Sequence, residues 1–158
     1  MADKILSKIH NKLLSRKKTI AIAESCTGGL LCATLTKNPG ASGYFLLGVV
    51  AYSNSSKEKI LQIPAKFISK YGAVSRKVAI SMAENIRKIA KADLGISITG
   101  VAGPGGSTLN KPVGTVFICL SAKNKNTCRL FSFPGNRLSI RNKSTQEALR
   151  LLCEHLSL

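Results

Sequence analysis

The stretch FLLGVVAY, residues 45–52, constrains the fold of this chain more than any other segment. It is the longest apolar run, yet far shorter than the ~18 residues a membrane span needs. With its β-branched, aromatic and aliphatic side chains it reads, through Ser53, as a strand buried on both faces. Strands of that kind sit in sheets covered by helices on either side.

The rest of the chain supplies those helices. Residues 3–16 place Ile5, Ile9 and Leu13 at four-residue steps, an amphipathic helix. TIAIA (19–23) reads as a short strand. GGLLCATLTK (28–37) fits a helix that begins at its glycines and stops near Asn38-Pro39-Gly40. Ser55-Ser56-Lys57-Glu58 matches a capping box, with Ser55 as N-cap and Glu58 at N3. A short helix to about Leu61 follows, and Pro64 opens another that Gly72 ends. Ser75 caps the clearest helix, 76–92, whose apolar stripe is Val78, Met82, Ala83, Ile86 and Ile89. LGISIT (94–99) is a strand, and 100–114 a long loop. TVFICLSA (115–122) and TCRLFSF (127–133) form a hairpin around the turn KNKN, and 138–155 is the last helix. Strands alternating with helices, plus one hairpin, predict an α/β fold: a three-layer α/β/α sandwich with a mixed, mostly parallel sheet. Neither repeats nor low-complexity linkers occur, so residues 1–158 are expected to form a single domain.

Composition narrows the setting. The N-terminus, MADKILSKIH, alternates charge with apolar residues and does not read as a signal peptide. Five cysteines, an odd number without a CxxC pair, argue against a disulfide framework and for a reducing, cytoplasmic location. His10 and His155 lie near opposite ends with no zinc-ligand spacing, so a zinc site is not expected. The net charge of +17 favours anionic partners. The basic residues are spread along the whole chain, however, and aromatics make up only 5%, too few for a single-strand stacking platform.

Four segments carry more chemistry than a core requires. In Glu24-Ser25-Cys26-Thr27-Gly28-Gly29, between a strand end and a helix start, Ser25 is either a helix cap or a nucleophile. The helix-start N–H groups there can hold an anion or an oxyanion. In Tyr52-Ser53-Asn54-Ser55-Ser56-Lys57, the capping-box register puts Lys57 at N2. A cation there opposes the helix dipole, which, with desolvation, lowers its pKa and suits a general base. Thr99-Gly100-Val101-Ala102-Gly103-Pro104-Gly105-Gly106 lets backbone approach a ligand closely, though it is neither a Walker motif nor GxGxxG. Arg137 and Arg141, one helical turn apart, can clamp a phosphate or carboxylate, or merely form a solvated face. With the histidines outside these segments, Lys57 is the best-placed base for Ser25; Cys26 is a rival nucleophile.

The motifs AESCTGG (23–29), NPGAS (38–42), GVVAYSN with Lys57, YGAVS (71–75), TGVAGPGG (99–106), KPVGTVF (111–117) and FPGNR (133–137) together resemble the CinA C-terminal domain family of nicotinamide-nucleotide amidases. The resemblance implies hydrolysis of nicotinamide mononucleotide to nicotinate mononucleotide and ammonia. It implies Ser25 as nucleophile, Lys57 as its base, and Tyr52 orienting lysine or substrate. Either Arg137 or Arg141 matches the family's functional arginine. On the same resemblance Thr99, Gly100, Gly103 and Gly105 are expected to line the nucleotide site, the N–H groups near Cys26 and Thr27, beside Gly28, are expected to form the oxyanion hole, and no metal or organic cofactor is expected. Asn136 stands where the family usually has Asp, and Ser107-Thr108-Leu109-Asn110 replaces the usual Gly-Thr-Pro-Glu, departures expected to affect the arginine and the substrate fit.

Many members carry an N-terminal domain with pyrophosphatase activity. This chain begins directly at the amidase domain, so that activity is expected to be absent. The expected partners are a small nucleotide substrate and a second copy of the chain in a homo-oligomer. Weak nucleic-acid binding is left open by the charge, and no membrane is expected. The rival readings are a nucleic-acid-binding accessory protein, an amidase of another small amide, and an inactive homologue.

Overall fold

The computed structural model describes residues 2–158. Its elements run α1 (Ala2–Ser15), β1 (Ile20–Glu24), α2 (Leu30–Leu35), β2 (Phe45–Val50), α3 (Asn54–Lys59), α4 (Ala65–Tyr71), α5 (Arg76–Ile89), β3 (Leu94–Gly100), β4 (Thr115–Ala122), β5 (Lys125–Ser132) and α6 (Arg137–Leu156). The strands pair into one sheet of order β2-β1-β3-β4-β5. β1 is parallel to both β2 and β3, while β4 is antiparallel to β3 and β5 antiparallel to β4. The sheet is therefore mixed, with β4 alone running against the other strands.

The pleat of β1 sorts its side chains onto two cores. Ile20 and Ile22 face α1, α2 and α6 through Ile9, Leu13, Leu31 and Leu152. Ala21 and Ala23 face the other way, where Val78, Met82 and Ile86 of α5 close over them. Full burial of each large aliphatic side chain is worth ~1.5–3 kcal/mol, so these two faces hold the layers together. No described helix is long and apolar enough to cross a membrane.

The strand at 45–50 departs from its expected place. It is an edge strand, not one buried on both faces, and Leu46 and Val50 stay 47% and 44% exposed. One flank is unpaired, and the six-residue α2 covers little of the outer face. The contact that does form is close: a Cβ on Gly48 would lie 2.6 Å from Cys32 Sγ. An apolar run tells of strand propensity, and its neighbours in the sheet decide the burial.

Other boundaries shift for local reasons. Gly28 and Gly29 take φ of +62° and +95°, so they form the turn into α2 and the helix starts only at Leu30. The hairpin turn shrinks to Lys123-Asn124, because Ala122 pairs with Lys125. Ser75 caps α5 as expected, its Oγ accepting from Val78 N–H, but Ile89 at the helix end is exposed and Ala79 joins the buried stripe instead. The capping box before Lys57 is built by Ser53 and Ser56, not by Ser55 and Glu58.

Candidate active site

Two parallel strands deliver the first residue. Ser25 follows the carboxyl end of β1, and its N–H still donates to Ile98 O of β3 at 2.9 Å, which extends the ladder by one bond. The chain then turns sharply into α2. Ligand crevices of open α/β sheets lie outside such strand ends.

Glu24, the last residue of β1, is fully buried and fixes that turn. Its Oε2 accepts from the N–H groups of Gly29 and Leu31 at 3.1 and 3.2 Å, and Oε1 accepts from Cys32 N–H at 2.7 Å. The start of α2 is thus already occupied by an anion of the chain itself, and its N–H groups are not open to a ligand. Gly28 and Gly29, with φ of +62° and +95°, supply the backbone conformation of this turn. Among the described residues, no other residue accepts from the N–H of Cys26, which follows Ser25 at the cleft.

Lys57 arrives from the opposite side, on α3. Ser53 Oγ accepts from Ser56 N–H, and Ser56 Oγ accepts from Ser53 N–H, both at 3.0 Å. This register puts Lys57 in the last turn of α3 instead of at N2. The helix-dipole argument for its pKa therefore fails, and a different cause replaces it. Lys57 is 1% exposed, and burial lowers its pKa to about 8. Its Nζ donates to Ser25 Oγ at 3.0 Å, to Ala51 O at 2.8 Å and to Tyr52 O at 3.3 Å.

That triple contact has a chemical reading. A charged ammonium has three N–H donors and fills all three positions. A neutral amine has two donors, which the carbonyls of Ala51 and Tyr52 take, leaving its lone pair directed at the Ser25 hydroxyl. The same atoms then serve either protonation state without rearrangement.

A cleft of about 220 Å³ opens over this pair. Ser25, Cys26, Tyr52 and Lys57 border it on one side, and Thr99, Gly100, Gly103, Gly105 and Arg137 on the other. Cys26 packs its side chain in the core, and burial pushes its thiol up to about 11, which leaves it protonated and poorly nucleophilic at neutral pH. The Tyr52 phenol does not meet Lys57; its oxygen accepts from Arg137 Nη2 at 2.6 Å, and Arg137 Nη1 donates to Gly103 O at 2.8 Å. Arg137 thus bridges the loop after β3 to the segment after β2. Asn136, in the usual aspartate position, caps α6 by accepting from Ser139 N–H, so Arg137 is positioned without a neighbouring acid.

Thr27, Gly28 and Arg141 do not border the cleft. Arg141 donates from Nε and Nη2 to Thr27 O at 3.2 and 2.8 Å, bracing the turn from behind. Thr99 Oγ1 is spent on Ala73 O at 2.9 Å, tying the segment before α5 to the sheet. Gly103, with φ +78°, must be glycine, since a Cβ would lie 2.6 Å from Val113 Cγ1; Gly105 faces open space. Residues 107–110 are exposed and stand away from the cleft.

Reading the sequence missed Glu24 as the anchor of α2 and Asn54 as a cleft residue. Glu24 had a signal: an acid at the end of a buried strand, five to eight residues before the first N–H groups of the next helix. No acid borders the cleft, and no three His, Cys, Asp or Glu side chains converge among the described residues.

The model of the CinA C-terminal domain family matches residues 2–156. A CinA-like protein of Thermotoga neapolitana is 46% identical over 157 residues, covering 99% of this chain and 38% of that protein. One from Desulfotalea psychrophila is 47% identical over 148 residues, covering 94% and 36%. The chain thus spans a little over a third of the length of these curated relatives. Among solved structures, competence damage-inducible protein A of Klebsiella pneumoniae superposes with a TM-score of 0.94 at 29% identity, over 99% of this chain and 97% of that one. A competence/damage inducible protein of Agrobacterium tumefaciens gives 0.94 at 31% identity, over 99% and 96%.

Proposed function

Because the chain belongs to the CinA C-terminal domain family, we propose that it is a nicotinamide-nucleotide amidase that cleaves the carboxamide of nicotinamide mononucleotide through a Ser-Lys acyl-enzyme. The observation that carries the reading is the 3.0 Å contact between Lys57 Nζ and Ser25 Oγ inside a cleft without acids.

The steps follow from the positions of the groups. Neutral Lys57 takes the Ser25 proton as Oγ attacks the carboxamide carbon. The oxyanion meets the N–H of Cys26, which borders the cleft beside Ser25, and a donor of this kind is worth ~3–4 kcal/mol in the transition state. The ammonium of Lys57 returns its proton to the leaving ammonia. Water then takes the place of ammonia, Lys57 accepts a proton from it as it attacks the ester, and passes that proton to Ser25 Oγ as the ester opens to nicotinate mononucleotide. Arg137, held at the rim by Tyr52 and Gly103, retains N–H groups for the substrate phosphate.

Release of ammonia from nicotinamide mononucleotide by the wild type, Ser25→Ala and Lys57→Ala tests the assignment. Turnover by the wild type and none above background by the variants is expected. A wild type that leaves the nucleotide intact removes this substrate, and an active Ser25→Ala removes the nucleophile.

A further inference from the structure

A larger cavity, of about 440 Å³, lies at the opposite end of the sheet, where β1 and β3 begin and β4 ends. Four cations border it from three parts of the chain: Arg16 and Lys18 after α1, Arg87 on α5, and Lys123 in the hairpin turn. One acid, Asp93, borders it too, and its oxygens are already used. Oδ1 accepts from Lys18 Nζ at 2.9 Å, and Oδ2 accepts from the N–H and Oγ1 of Thr19 at 2.9 and 3.0 Å. Arg87 Nε reaches only Ser121 Oγ, and no carboxylate meets Arg16, Arg87 or Lys123 among the described residues.

The helices α1, α5 and α6 end at this side of the sheet, and each carbonyl end carries only about half a negative charge. That does not neutralise the cluster. His155 senses the excess: burial, then Lys125, Arg16 and Lys18, hold its imidazole below the ordinary histidine range. The cleft at Ser25 draws on few of the basic residues behind the +17 charge, whereas here they converge on one concavity.

We propose that this cavity is a second binding site, for a small oligophosphate anion such as diphosphate or the phosphate end of a nucleoside diphosphate. Its volume lies in the ordinary range of small-molecule sites. Two guanidinium groups and the Lys123 ammonium around one space, with Lys18 paired to Asp93 beside them, match the several oxygens of such an anion. The absence of Phe, Tyr or Trp from its walls favours this ligand over a single nucleic-acid strand, which calls for stacking surfaces.

Calorimetric titration of the whole chain with inorganic diphosphate and with ADP, at fixed ionic strength, tests the site. Saturable binding is expected for the wild type and for Ser25→Ala. It should weaken tenfold or more in Arg16→Ala/Lys123→Ala, with Lys123→Gln as a milder second variant, and should hold in the control Lys66→Ala, whose lysine is exposed on α4. The His155 imidazole pKa, followed by NMR, should rise on binding. Circular dichroism and the thermal midpoint check that each variant is folded. Absence of saturable binding overturns the proposal. So does equal loss in Lys66→Ala, loss in Arg137→Ala but not at Arg16 and Lys123, or tighter binding of a short single-stranded oligonucleotide through the same residues.

Discussion

Lys57 Nζ stands 3.0 Å from Ser25 Oγ with no carboxylate beside it, its other hydrogen bonds going to the backbone carbonyls of Ala51 and Tyr52. Burial works against a positive charge on this lysine and outweighs the opposing pull of the Cys26 side chain. A pKa of about 8 leaves about a tenth of the lysine neutral at pH 7, enough to work as a base.

The first prediction is a pH profile. The neutral amine is the working form, so kcat/KM for amide hydrolysis should rise about tenfold per pH unit below about 8 and level off above it. A rising limb centred near the ordinary histidine value instead would assign the base to another group. The same shift bears on folding. The folded-state pKa lies below the ordinary 10.5, so the unfolded chain holds more protons between about 8 and 10.5. The Lys57 contribution is present above that window and lost as pH falls through about 8. The stability of the wild type relative to Lys57→Met should therefore rise with pH across it, as denaturant titrations at several pH values will record.

Ser25 and Lys57 should act as a unit. Each single variant, Ser25→Ala and Lys57→Ala, is expected to lower kcat by on the order of 10⁴ or more, and the double variant should lose no more than the worse single. Losses that multiply would mean that the two groups act on separate steps, and steady-state rates of all three variants distinguish the cases.

Arg137 and Arg141 should part company. Arg137→Lys keeps the charge but loses the fork between Tyr52 and Gly103, so KM should rise about tenfold with little change in thermal midpoint. Arg141→Met strips Thr27 O of both guanidinium donors, leaving only the long bond from Leu30 N–H at 3.4 Å, and should cost about 1–3 kcal/mol of stability. If the kinetic penalty falls on Arg141 and the stability penalty on Arg137, their roles are reversed.

Glu24→Gln tests the anchor of the turn. Glutamine keeps one acceptor oxygen, but its NH₂ faces N–H groups of α2 instead of accepting from them. A loss of about 2–4 kcal/mol is expected by denaturant titration, given three hydrogen bonds to a buried charge. A variant as stable as the wild type would mean that the carboxylate is dispensable there.

Much was legible in the sequence because it is local. The steps of Ile9 and Leu13, the Ser75 cap and the turn signals at Asn38-Pro39-Gly40 depend on side chains within a few residues, and they predict helices and strands close to those observed. The motifs put Ser25 forward as either a helix cap or a nucleophile and Lys57 as its best-placed base, and the tertiary structure brings the two within 3.0 Å. What sequence leaves undecided is any choice between equivalent local partners. Three serines precede Lys57 within four positions, and only packing selects Ser53 with Ser56, turning Lys57 inward so that burial rather than a helix dipole lowers its pKa. The edge position of β2, the two employments of Arg137 and Arg141, and the convergence of Arg16, Arg87 and Lys123 are tertiary for the same reason. They join residues dozens of positions apart, where no local periodicity reaches and only the sheet order sets which side chains meet.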